Sequence, residues 1–392
     1  MAVDLIGFGM VFPILPVYAR QFHVSSATAT GLVAAFAVAT FVFSPIWGRV
    51  SDRVGRKPVL ILSLVGTAIG SLITGLAGGI VVLYLGRVVD GISGASVSVA
   101  QAAVTDVAEP GQRARLFGLL GAAFGVGFVA GPALGSLASL GGPRLPFYLA
   151  AALAGVNALV GLRKLPETNR PRRGVASPSD SIDGLGPLPT GRRPLNPLAA
   201  LAGVQGTGTL IGVAFGALLA FSAFEATFAL FGQRRLGFGI GSSGAVFAVI
   251  GLVIVVVQGG LVHRVVGRLG EVATLRLGLG ADAVGLLALA FVHSWLALVP
   301  ALLALTVGQG LVQTTMSSAL AGRADPARRG EILGAQQAAG GLARVVGPLA
   351  GGVLFQRVGA GAPYVVGAGL IAAVLVLLQA ALGARQPAVV AP

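Results

Sequence analysis

Residues 243–262 read SGAVFAVIGLVIVVVQGGLV, a run without a single charged side chain. Wound as an α-helix, about 20 residues rise roughly 30 Å, the thickness of the hydrocarbon core of a bilayer. Working outward in both directions, similar runs fall at roughly 2–19, 30–48, 58–77, 79–105, 116–140, 145–165, 205–232, 272–292, 295–319, 331–356 and 363–383, twelve in all with the first. Backbone groups in lipid must be satisfied internally, which leaves helices or closed barrels. Runs of this length exceed the ~10 residues of a barrel strand. The expected fold is an all-α integral membrane protein with twelve transmembrane helices.

Composition points the same way. Of 392 residues, 55% are hydrophobic and 10% charged, with mean hydropathy +0.90. A soluble globule carries about 25% charged residues, so this chain could not cover its surface in water. The 61 Gly and 21 Pro sit largely within apolar runs, where membrane helices tolerate them. With no Cys there is neither a disulfide framework nor thiolate chemistry. The first run lacks a basic leader and carries Asp4, unlike a cleaved signal peptide.

The net charge of +14 is a topology signal. Most of the 27 Lys and Arg residues gather on one side, in the connections around Arg49, Arg53, Arg56, Lys57, Arg113, Arg115, Arg163, Lys164, Arg264 and Arg268. The opposite side has Arg20, Arg144, Arg234, Arg235 and Arg357. The positive-inside rule puts both termini in the cytoplasm of a multi-pass protein in the cell inner membrane, and speaks against nucleic acid as a partner. Residues 166–200, rich in Pro, Gly, Ser and Arg, read as a cytoplasmic linker. It separates a six-helix half at 1–165 from a second at 201–392.

The halves match each other. Arg113 to Pro132 aligns with Arg329 to Pro348 at an offset of 216, and Gly48-x6-Gly55-Arg56 aligns with Gly260-x6-Gly267-Arg268 at an offset of 212. Two parallel six-span repeats with a site at their interface are one of the recurrent transporter layouts.

Four motifs carry chemistry. Between spans 2 and 3, Gly48 to Lys57 (GRVSDRVGRK) is a tight turn with one carboxylate among four cations. In span 4, Arg87 and Asp90 are three apart and share a helix face, forming either a self-neutralising pair or a proton-handling one. In span 5, Gly127, Gly131, Pro132 and Gly135 make a close-packing seam with a kink. Asp4, Glu225, Asp282 and Arg344 lie within spans, where a charge costs about 2.5–3.5 kcal/mol, so each is a functional candidate or half of an ion pair. Phe221, Phe224, Phe228 and Phe231 surround Glu225 at helical spacing, as packing or as a pocket wall, and Gln309 and Gln313 share a face of span 10. No phosphate-binding GxxxxGK[ST] loop or HExxH occurs, so no enzyme and no metal site is expected.

The loop Gly48–Lys57 resembles motif A of the major facilitator superfamily. That resemblance implies a cytoplasmic gate in which Asp52, Arg53 and Arg56, with Asp106 as partner, break and reform a charge latch. Arg264 stands where the second copy would have Asp52, so only the first half carries the whole latch. The span 5 seam resembles motif C, the antiporter motif, with Ser136 in place of a usual Gly, and Arg87 resembles the motif B arginine. The chain as a whole resembles the drug:proton antiporter branch, through Asp4-x2-Gly7-x-Gly9-x3-Pro13, Leu83-Tyr84-x-Gly86-Arg87 and Ala281-Asp282. Where the tetracycline/proton antiporter group has an Asp before the span 4 arginine, this chain has Gly70, which argues against tetracycline as cargo.

The resemblance implies a monomeric, proton-coupled exporter of small amphipathic molecules, with a metabolite or sugar importer of the same fold as the alternative. Its proton-coupling candidates are Asp4, Arg87, Glu225 and Asp282, and its substrate candidates Phe221, Phe224, Glu225, Phe228, Gln309 and Gln313. Its partners are substrate, protons and the bilayer, and no cofactor is called for beyond the proton gradient.

Overall fold

The computed structural model describes residues 1–94, 96–107, 112–168, 207–323 and 329–383. All regular elements among them are helical. Most of the connection at 166–200 lies outside the described residues.

Span 1 is broken into Ala2–Val11 and Leu15–Ala19, because Pro13 has no N–H to give and its ring clashes with the preceding turn. Span 2 is Ser26–Val54, started by Ser25, whose Oγ accepts from Thr28 N at 3.1 Å. Span 3 is Arg56–Gly75. Span 4 falls into Ile80–Ile92 and Ser96–Val107. Spans 5 and 6 are Arg113–Ala138 and Leu145–Lys164. Span 7 is Thr207–Leu236, and spans 10 to 12 are Trp295–Arg323, Arg329–Arg357 and Ala362–Gly383.

Eleven helical stretches among the described residues are long and apolar enough to cross a bilayer, but one of them, Ile240–Ala290, has 51 residues. Unbroken it would be about 77 Å long, more than twice the hydrocarbon thickness. Gly270, at φ 78° and ψ 166°, breaks it. It therefore holds spans 8 and 9, and the twelve expected crossings are present. Span 8 also carries a π-helical turn, Val257–Leu261. Large apolar side chains such as Val81, Leu140 and Leu296 are exposed on the outside, an unsuitable surface for water and a suitable one for lipid.

The internal repeat needs one correction of register. Gly55 (φ 104°) ends span 2 and starts span 3, and its structural counterpart is Gly270, not Gly267. The offset there is 215, close to the 216 found for span 5. Gly70 against Asp90 in the first half then corresponds to Gly285 against Leu305 in the second. Under this register Gly267, rather than Arg264, stands where Asp52 does, and Glu271 stands opposite Arg56. The sequence match followed a Gly-Arg identity, whereas the turn follows the residue able to hold a positive φ.

Packing is uneven along the bundle. The first turns of span 2, Ala29 to Ala34, are buried, while Phe41, Val42 and Ile46 further along are exposed. Spans 2 and 11 meet at the end remote from the termini, where Ala27 N donates to Gln356 Oε1 at 3.2 Å. Spans 5 and 8 meet at that same end, where Ser136 Oγ donates to Gly241 O at 2.6 Å. The bundle is sealed at the far end and looser toward the ends of the chain.

Candidate functional site

A narrow crevice lies where the first six spans face the last six. Its wall from the first half includes Phe8, Phe12, Phe128 and Pro132. Its wall from the second includes Phe221, Phe224, Phe247 and Glu225. Glu225 is the one ionisable residue of the lining, and it is only partly buried among fully buried neighbours. Arg344 of span 11 acts on it electrostatically.

The aromatic stripe of span 7 divides. Phe221 and Phe224 reach the crevice, whereas Phe228 and Phe231 turn into the interior of the second half. There Phe228 meets Phe224, Phe238 and Phe247 at 5.1, 6.1 and 5.5 Å between ring centroids. Gln309 and Gln313 do not line the crevice. Gln309 is buried with its Oε1 unpartnered, and Gln313 is exposed and accepts from Gln258 Nε2 at 3.5 Å.

The other intramembrane acids sit apart from the crevice. Asp4 is buried and accepts from Ser96 Oγ at 2.5 Å. Arg87 and Asp90 form a buried ion pair at 3.0 Å. Asp282 is 0% exposed, and neither of its carboxylate oxygens has a protein donor.

The span 5 glycines work on two faces. Gly127, Gly131 and Gly135 press against Leu5, Gly9 and Met10 of span 1, while Phe128, Pro132 and Ser136 meet Gly251 and Gly244 of span 8. Ser136, the departure from the motif, supplies the hydrogen bond to Gly241 across the two halves. A net hydrogen bond is worth about 0.5–1.5 kcal/mol. Ser136→Ala is therefore expected to shift the balance toward a far-end-open form by roughly 2- to 13-fold. A cysteine introduced at Ala27, in a chain that has none, should be labelled from the far side faster by that factor. An unchanged rate would remove Ser136 from the seal.

At the terminus end, Arg56 gathers the charges. Its Nη1 lies 2.7 Å from Asp52 Oδ1 and its Nε donates to Asp106 Oδ2 at 2.8 Å. Nη1 also donates to Ser51 Oγ at 2.6 Å, and Ser51 in turn donates to Gly48 O. Arg53 is exposed beside them. Sequence reasoning missed Glu167, whose carboxylate accepts from the backbone N–H groups of Arg56 and Lys57 at 2.7 and 3.1 Å. It caps the positive end of span 3 and ties the end of span 6 to the gate. At a separation of 111 residues no local spacing could announce it.

The Major Facilitator Superfamily family model matches residues 1–348 and 263–392. The chain is 32% identical to the Escherichia coli tetracycline resistance protein, class C, over 89% of this chain and 86% of that protein. It is 29% identical to multidrug resistance protein 2 of Bacillus subtilis (strain 168), over 90% and 87% respectively. Among solved structures it is similar to the human organic anion transporter MFSD10 (TETRAN), with a TM-score of 0.68 and 26% identity, covering 96% of each chain.

Proposed function

The chain belongs to the major facilitator superfamily, and from that membership we propose that it is a proton-coupled exporter of small amphipathic drug-like molecules. It is a multi-pass membrane protein. The reading adds that it sits in a bacterial inner membrane with both termini in the cytoplasm, and that it works as a monomer without a cofactor. The observation that carries the proposal is an aromatic crevice between the two halves with one carboxylate, Glu225, in its wall.

Such a wall suits a flat apolar molecule with a single positive or donor group. Glu225 holds either that group or a proton, so cargo and proton exclude one another. With the far end sealed and the terminus end looser, the conformation is the one that loads from the cytoplasm. Rocking the halves would part the seam of spans 5 and 8 and that of spans 2 and 11. On the other side it would bring the charges around Arg56, already paired within the first half, against the second half. Protons arriving from outside discharge the cargo and reset the cycle. Import of a sugar fits less well, because a sugar needs several polar partners and this wall supplies few.

Glu225→Gln tests the reading in everted vesicles energised with a proton gradient, with ethidium as an aromatic monocation. A charge-assisted hydrogen bond contributes about 1.5–3 kcal/mol, so the Gln variant should transport the cation roughly 10- to 150-fold less efficiently. Equal transport by the variant and the native protein would refute the assignment of Glu225.

A further inference from the structure

Asp90 pairs with Arg87 in the membrane interior, apart from the crevice. It is 6% exposed, and its Oδ2 accepts from Arg87 Nη1. Arg87 is itself buried, and its Nη2 and Nε donate to Thr74 Oγ1 at 2.9 and 3.3 Å. Thr74 Oγ1 in turn donates a hydrogen bond to Gly70 O at 2.8 Å. The groups facing the pair come from three helices. Span 4 supplies Arg87, span 3 supplies Thr67 and Thr74, and span 1 supplies Asp4, which acts on Asp90 electrostatically. Arg87 also borders a small cavity shared with Phe8 and Phe12, both of which line the crevice. One aromatic layer separates the ion pair from the cargo site.

Two geometric facts make Asp90 more than a neutralising partner. A Cβ at Gly70 would lie 2.8 Å from Asp90 Cβ, 2.8 Å from Asp90 N and 2.8 Å from Gly86 O. No side chain at 70 can coexist with Asp90 as placed, so the carboxylate that the sequence comparison expected from span 3 is supplied to the same space by span 4. The second fact is the pseudo-symmetry. In the 215-residue register, Gly70 against Asp90 corresponds to Gly285 against Leu305, and Thr67 beside Asp90 corresponds to Asp282. Each half therefore buries one carboxyl at the equivalent helix interface, from span 4 in the first and from span 9 in the second.

We propose that Asp90 is a proton-carrying group of this transporter, with Arg87 as its counter-ion and Gly70 as the space that admits it. A proton bonds to an Asp90 carboxylate oxygen and makes the neutral acid. The Arg87 guanidinium keeps its charge, loses its counter-charge at Asp90 and stays anchored on Thr74. Loss of the proton restores the pair. The local interface of spans 3 and 4 thus has two charge states that the proton gradient can drive. This rests on the export reading.

The test uses the purified full chain in liposomes, with ethidium as cargo. It compares the accumulation driven by a pH gradient with counterflow, which needs no net proton movement. Each coupled proton contributes about tenfold per pH unit. Across about 2 pH units, Asp90→Asn should lower the ratio of driven transport to counterflow roughly 100-fold. Asp90→Glu keeps a carboxyl facing Arg87 and should recover most of that ratio. Substrate-induced proton release in detergent, read with a pH indicator, should fall in Asp90→Asn and return in Asp90→Glu. If the native protein shows no driven transport, the export reading has failed. If it does and Asp90→Asn is driven equally well, the claim for Asp90 alone is overturned. An Asp90→Glu variant that folds, exchanges cargo and stays uncoupled also overturns it.

Discussion

Asp282→Asn is expected to lower gradient-driven accumulation by one proton's worth, roughly several-hundred-fold at 100 mV and one pH unit, while the folded protein survives. Asp282 is fully enclosed in span 9, with no protein donor to either oxygen. Span 10 lies against it so closely that a Cβ at Gly308 would fall 2.9 Å from Asp282 Cα and 2.7 Å from Gly278 O. Holding an ion in such a place costs several kcal/mol unless partners repay it. If Asp282 carries a coupled proton, the closed interface favours the neutral acid and ionisation favours opening it. That dependence lets a proton do work on the helices, and an amide, neutral in every state, removes it. One proton moved by 100 mV and one pH unit supplies about 3.7 kcal/mol, enough for a several-hundred-fold gradient. The Asn variant should lose that gradient in energised liposomes. Its thermal midpoint should not fall, since no hydrogen bond to a protein donor is lost. Retained accumulation would show that Asp282 is a passive core residue.

The number of crossings was legible because each apolar run has the length a bilayer demands, and the gate was legible because its residues are adjacent in the chain. Ends and depths were not. Span 8 runs past the apolar stretch to Gly270, since a helix continues beyond the lipid wherever the chain can still form one. Phe221 and Phe228 are seven apart and share a face of one helix, yet one lines the crevice and the other is core. Helical spacing fixes direction around the axis but says nothing of where an opening between two halves stops. Gln309 and Gln313 fail in the same way. The contacts of Ser136 with Gly241 and of Glu167 with Arg56 join residues more than 100 positions apart. They depend on how helices dock, which no single helix encodes. Asp90 was visible as the partner of Arg87, but its relation to Gly70 required knowing that spans 3 and 4 touch at that point.

Gly131→Val should abolish transport and lower the thermal midpoint, and the reason lies in what the new atoms would strike. A Cβ at 131 would sit 2.7 Å from Gly9 Cα, 2.8 Å from Ile6 O and 2.9 Å from Gly9 C. All three are backbone, so no rotamer change in a neighbour can relieve the clash. Gly9 cannot yield either, since its own Cβ position is 2.7 Å from Gly127 O. Spans 1 and 5 must separate, at an overpacking cost of about 1–3 kcal/mol or more. The displacement reaches function because span 5 is held on two sides. Its glycine face docks on span 1 within the same half, while its Phe128, Pro132 and Ser136 face seals against span 8 of the other half and, if the halves rock, must release it. Moving the fixed face misplaces the releasing one, and Phe8 and Phe128 leave their positions in the first-half wall of the crevice. Gly121, on the same helix with nothing within 4 Å of its Cβ position, provides the control. Gly121→Val should transport nearly as the native protein does. Equal activity in both variants would mean that the close approach of spans 1 and 5 is dispensable. Loss in both would mean that span 5 tolerates no β-branched residue at all, and that contact with Gly9 is not the cause.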